Sequence, residues 1–407
     1  MSDFLKNALR GAGLAMEDAE VDTDVEVPVE DTPIEEVIEA SDVEADPVEE
    51  GCDEAEAAAE EAEEAAEGIE TSEEVVEALE SIYSSMESAM ADGGLTAREA
   101  GFAQAAIAAQ LKRLRVAAPV IMSSESFLST EDRVGNTTLA MEGVKELGKK
   151  IVEAIRAALK ALRDAAKNFW LKITDTAGRL EKRATEVGNL LAGKEGEAVY
   201  GEFFKDHRNL TKLGQWLSGG TKRKDWDKQA ISVVKATHAV MSWTKTVRTG
   251  LEQMTEGKEF VFPELDTKAF TDLPCGAKLV KTGTDSFSYK LEVTKTREGA
   301  SETYDLPPKA VLVTLMRQVA EAAKQLSVYR KDWQTTDAAI EGALKKLEAK
   351  GDNAVQKEIQ SKFTKAARSA LTLPQSWGGF ALRALSGYVS LASLVAKHWD
   401  KLTGEKK

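Results

Sequence analysis

The sequence predicts a mainly α protein: a disordered acidic N-terminal region, a small αα-hairpin, then a multi-helix body with one inserted β-hairpin. Three observations carry this. Residues 1–100 hold 33 Asp/Glu and 3 Lys/Arg, a net of −30, whereas residues 101–407 hold 36 and 50, a net of +14. From residue 72 onward apolar residues recur at helical spacing. Strand-like alternation is confined to residues 258–306.

Residues 1–17 read as an amphipathic docking peptide, with Phe4, Leu5, Leu9 and Leu14 as its apolar points, suited to a helix-in-groove contact. Residues 18–71 are dense in Asp and Glu and poor in aromatics. Like charges repel and little apolar surface can be buried, so disorder is expected. Within this stretch Asp53–Glu67 has the Ala/Glu composition of a transient helix, with no large apolar face to dock. Residues 72–118 form the hairpin. Val75, Val76, Leu79, Ile82, Tyr83 and Met86 sit at helical spacing, Asp92-Gly93-Gly94 breaks the chain, and Thr96 with Glu99 forms a capping box for a second helix. Residues 119–142, rich in Ser and Thr, read as a linker.

The body begins with a basic helical domain, 143–257. Its first helix carries an apolar stripe from Leu147 to Ile173. Further helical patterns follow at 176–192, 197–218 and 225–256, with a basic loop, Ser218–Asp225, between the last two. In the 258–306 insertion, Lys278–Lys281 and Ser286–Val293 flank a Thr282–Asp285 turn. The C-terminal helical domain, 307–407, shows patterns at 308–331, 333–350, 353–371 and 377–402, punctuated by Pro307-Pro308 and Pro374.

Several function classes lose support. The two cysteines, Cys52 and Cys275, make no CxxC or Cys/His spacing, which argues against zinc and a disulfide framework and suits a reducing compartment. No run of eighteen apolar residues suggests a transmembrane segment, and the N-terminus lacks the apolar core of a secretory signal. His207, His238 and His398 are isolated, and no phosphate-loop, dinucleotide or nucleophile-elbow motif occurs. No catalytic residue, metal ligand or cofactor is therefore assigned. The seven tryptophans, all at position 170 or later, read as core anchors of helices.

Two sets of residues point to function. Lys145, Lys149, Lys150, Arg156, Lys160, Arg163, Lys167 and Lys172 flank the apolar stripe of the first body helix, and Lys222, Arg223 and Lys224 lie in the basic loop. Such clusters bind phosphate by releasing condensed counterions, without reading sequence; a basic amphipathic helix also suits an anionic membrane. The second set is a repeated string. Leu-Ala-Met-Glu ends at Glu17 and again at Glu142, the two borders of the acidic region. A protease recognising a small residue, any residue, then Glu would cut after both, and also after Glu80, Glu87 and Glu125. Exposed linker position favours such cuts.

The stretches Glu77–Leu114 (EALESIYSSMESAMADGGLTAREAGFAQAAIAAQLKRL) and Thr138–Leu159 (TLAMEGVKELGKKIVEAIRAAL) resemble segments of internal head proteins of large contractile-tailed bacteriophages. The resemblance implies a prohead core protein with an acidic propeptide that a phage maturation protease removes. It implies cleavage after Glu142, where Ala140 gives the small-x-Glu form, with Glu125, Glu87, Glu80 and Glu17 as further positions. Implied partners are that protease, prohead core or capsid proteins, and packaged double-stranded DNA bound without sequence preference. The implied location is the capsid interior, with host cytoplasm during assembly. Two other readings compete: a proteolytically activated membrane-active or host-directed effector ejected with the genome, and an enzyme with a site assembled among residues 177–407.

Overall fold

The computed structural model describes residues 3–15, 47–129, 131–196, 226–256, 261–282, 288–293, 308–348 and 354–402. The chain divides into two compact units. One holds residues 1–45 and 64–162, the other residues 46–63 and 163–407. The helices α2 (Pro47–Ala91) and α4 (Arg133–Ala192) each contribute to both.

The first unit contains α1 (Asp3–Gly11), the later part of α2, α3 (Ala97–Arg113), a 3-10 turn at Ser124–Phe127 and the start of α4. Leu5 and Leu9 of α1 are fully buried, and a Cβ on Gly68 of α2 would lie 2.9 Å from the Leu5 side chain. Leu5, Leu9 and Leu14 of the N-terminal peptide are thus buried within their own unit. At the helical hairpin, Gly93 and Gly94 both adopt φ +89, a conformation that glycine supplies without a Cβ penalty. The capping box forms as the sequence predicts. The Glu99 amide donates to Thr96 Oγ1 at 3.3 Å, and the Thr96 amide donates to Glu99 Oε2 at 2.8 Å. The connector after α3 is tied to it by Gln104, whose Oε1 accepts from the amides of Ile121 and Met122, both at 3.0 Å.

α4 starts inside the expected linker. Thr137 and Thr138 donate to the carbonyls of Arg133 and Val134 at 2.7 and 2.9 Å. Thr137 Oγ1 also accepts from the Leu95 amide at 2.9 Å. Hydroxyls that make a sequence look like a loop here satisfy themselves on the helix backbone.

The second unit gathers residues 47–63 of α2, α4 from Arg163, α5 (Trp226–Thr255), β1 (Lys278–Lys281), β2 (Tyr289–Glu292), α6 (Lys309–Glu348), α7 (Ala354–Lys397) and the short α8 (Trp399–Leu402). The strands pair antiparallel with Leu279 opposite Leu291. Tyr289 and Leu291 are half-buried between exposed Lys290 and Glu292, the one-sided alternation that the sequence predicts.

Aromatic residues fill this core as expected. The rings of Trp170 and Tyr329 meet edge-on at 4.6 Å, and those of Phe270 and Trp377 at 5.3 Å. Trp377 Nε1 donates to Thr237 Oγ1 at 3.0 Å, and Tyr388 donates to Gln229 Oε1 at 3.1 Å, so Trp377 and Tyr388 bury their polar atoms satisfied.

Two expectations are corrected here. The acidic region is helical from Pro47, not disordered to residue 71. Its buried positions Val48, Cys52, Ala55, Ala59, Ala62, Ala66 and Ile69 alternate in steps of four and three, a seam of the coiled-coil kind. Most are alanine. Each buried methyl is worth only on the order of 0.8 kcal/mol, but small residues let backbones touch. A Cβ on Gly379 of α7 would lie 3.3 Å from the Ala55 carbonyl oxygen, and one on Gly51 would collide with Thr176 of α4 at 2.3 Å.

Pro374 lies inside continuous α7 rather than ending a helix. Leu371, Leu373 and Trp377 around it are buried, and the Gln375 side chain donates through Nε2 to the Leu371 carbonyl at 2.9 Å. Burial here outweighs the lost backbone hydrogen bond.

Gln360–Lys397 is long and apolar enough to cross a bilayer by length and composition, its most apolar 18-residue window having a mean hydropathy of 1.4. The apolar window is 78% buried inside the structure, which makes α7 a core helix of its unit. Residues 18–46, the 197–218 helix and the Gly283–Asp285 turn lie outside the described residues.

Candidate functional site: cleavage positions and cationic surfaces

The predicted cleavage positions divide by local structure. Glu80 and Glu87 are exposed on α2 and Glu142 is exposed on α4. Ala140, two residues before Glu142, is 2% exposed. A protease that reads an extended strand must open the helix at all three. Glu125 differs. It is exposed in the 3-10 turn of the connector between α3 and α4, beside the exposed Val120 and Leu128. Glu17 lies outside the described residues, but its repeat does not wholly. Leu14 and Ala15 of the first Leu-Ala-Met-Glu line a cavity of about 420 Å³ together with Gly143 and Leu147, just after the second. The Ala117 amide donates to the Ala15 carbonyl at 2.8 Å and holds that wall.

The cations predicted to face a polyanion are drawn from both units. Lys145, Lys149 and Lys160 are exposed and Lys150 and Arg156 half-exposed on the part of α4 in the first unit. Arg163, Lys167 and Lys172 belong to the second. Arg163 is a structural clamp: its Nε donates to Asp337 Oδ1 at 2.6 Å and its Nη2 to Glu341 Oε2 at 3.2 Å, with 12% of the side chain exposed. Burial works against its charge, but the two carboxylates outweigh it and raise its pKa. Lys167 is exposed. Lys172 pairs with Glu54 at 2.8 Å. Lys222, Arg223 and Lys224 lie outside the described residues.

Sequence reading missed two cations of the second unit. Arg383 of α7 pairs with Asp53, and Lys290 of β2 pairs with Glu63 at 3.3 Å. With Lys172 they flank residues 47–63 of α2. The signal was faint, because each lies alone among apolar or mixed neighbours and its partner is more than two hundred residues away.

Both cysteines are buried and unpaired. Burial pushes the Cys52 thiol up to about 11 and that of Cys275 higher still, so neither is poised as a nucleophile. Among the described residues no group of three or more His, Cys, Asp or Glu could hold a metal ion.

No curated protein and no solved structure matches the chain. The family model of phiKZ-like phage internal head proteins matches residues 17–394. The resemblance read in residues 77–114 and 138–159 thus extends over nearly the whole chain, which belongs to the phiKZ-like phage internal head protein family, whose name places it inside the phage head.

Proposed function

We propose that the chain is made as a precursor, cleaved by the phage maturation protease in the prohead, and left as a basic protein beside the packaged double-stranded DNA. One observation carries this reading: an N-terminal region of net −30 precedes a remainder of net +14 in a chain of the internal head protein family. Cleavage after Glu142 leaves residues 143–407, with 46 Lys/Arg against 32 Asp/Glu. A protein of that charge neutralises phosphate without reading sequence. The exposed connector around Glu125 supports an early cut there. Opening of the first turns of α4 then delivers Glu142 to the same protease. Assembly in the host cytoplasm with prohead core or capsid proteins precedes both steps. No catalytic role is assigned to the chain.

Intact-mass and N-terminal analysis of the protein from purified particles tests this. A start at Gly143, or at Ser126 for the early product, is expected. A mature chain that begins near Met1 removes the basis of the proposal.

A further inference from the structure

Residues 47–63 lie in the acidic region by sequence, yet they are part of the unit that holds residues 163–407. They enter it along the small-residue seam, with Cys52 Sγ 3.8 Å from the Leu382 carbonyl and Ala55 and Ala59 against Gly379. Three carboxylates of this stretch meet cations from three separate elements. Asp53 pairs with Arg383 of α7, Glu54 with Lys172 of α4 at 2.8 Å, and Glu63 with Lys290 of β2 at 3.3 Å. Other carboxylates of the same stretch behave differently. Glu50, Glu60 and Glu61 are exposed, with no cation at ion-pair distance among the described residues.

The geometry points to a built-in mimic of phosphate: Asp53, Glu54 and Glu63 occupy Lys172, Lys290 and Arg383, the cations that border the bed of residues 47–63, and these cations take the phosphate backbone of duplex DNA once the carboxylates are withdrawn by cleavage or neutralised. This deepens the precursor reading above and rests on it. The seam suits a detachable part. Alanine and glycine allow close approach, but they bury little apolar surface. Docking therefore depends on the tether, which holds the segment at an effective concentration in the millimolar range. A cut after Glu80 lies beyond the docked stretch and severs that tether. The departing helix takes its carboxylates away from three cations whose side chains are already 35–53% exposed.

The test uses the full chain and a fluorescent DNA duplex, with affinity followed by anisotropy between about 50 and 200 mM salt. One variant carries Asp53→Asn, Glu54→Gln and Glu63→Gln; its control carries Glu50→Gln, Glu60→Gln and Glu61→Gln, the same change in net charge on the same helix. Each phosphate contact adds about 0.9 to the slope of log affinity against log salt. The first variant is expected to steepen the slope by about 2.7, whereas the control stays parallel to the unmodified chain. Adding Lys172→Gln, Lys290→Gln and Arg383→Gln to the first variant restores the original slope. Equal slopes for the two triple variants, or no effect of the added cation changes, overturn the mask. Protein recovered from particles is measured alongside. If it binds DNA with salt dependence while the two triple variants coincide, the mask alone fails. If it does not bind, the packaging reading fails and takes the mask with it.

Discussion

Gly379 and Ala55 meet backbone to backbone: a methyl on Gly379 would stand 3.3 Å from the Ala55 carbonyl oxygen and 3.4 Å from the Ala59 methyl. A larger side chain cannot be placed there without pushing residues 47–63 off α7. Gly379→Leu is expected to cost about 1–3 kcal/mol by overpacking. It should also speed reaction of Cys52, now 0% exposed, with a thiol reagent. Unchanged Cys52 labelling in a folded variant would show that the seam tolerates the bulk.

Arg163 separates structure from function on the same helix. Arg163→Ala removes the cation that clamps Asp337, while Glu341 keeps Lys345 at 2.7 Å, and is expected to cost about 1.5–3 kcal/mol, measured by denaturant unfolding. Duplex DNA affinity of the folded variant should stay unchanged. A loss of DNA affinity without loss of stability would return Arg163 to the polyanion surface.

The capping box makes a prediction on acid stability. Hydrogen bonds from the Thr96 backbone and side chain hold the Glu99 carboxyl below its ordinary range. An acid lowered in the folded state contributes stability that is present above its unfolded pKa of about 4.3 and lost as pH falls through the folded value. Glu99→Gln should therefore flatten the acid side of the unfolding curve below about pH 5. Thr96→Ala should cost about 1 kcal/mol near neutrality. An identical acid limb in Glu99→Gln would contradict the assignment.

Proteolysis with a Glu-specific enzyme should cut the connector between α3 and α4 before any helical position. The product ending at Glu125 is expected earlier than those ending at Glu80, Glu87 or Glu142, because a helix must open locally before its bonds can be cut. Mass spectra of a time course decide the order. First appearance of a fragment starting at Gly143 would mean that α4 opens more readily than its hydrogen bonding suggests.

Much of the fold could be read from periodicity. The Leu147–Ile173 stripe is buried as a single helix face, and Lys278–Lys281 pairs with a strand inside the predicted Ser286–Val293 run. What stayed hidden has physical causes. In residues 47–66 the repeat is carried by alanine, whose small side chain barely registers as apolar, while the glutamates around it mimic a repelling coil. Pro374 looks like a stop because sequence cannot show the burial that holds the helix through it. The candidate site was least legible. Arg163 looks like its lysine neighbours until Asp337, 174 residues away, is brought beside it. The Asp53–Arg383 pair spans 330 residues, beyond any local pattern.

The distribution of indole has a spectroscopic consequence. Every tryptophan stands at position 170 or later, and Trp170, Trp377 and Trp399 are each at most 2% exposed. Tryptophan emission therefore watches only the unit that contains residues 163–407, whereas circular dichroism at 222 nm sums the helices of both. A melt followed by the two signals at once resolves the units without labels, and any midpoint that appears in ellipticity but not in emission belongs to residues 1–45 and 64–162.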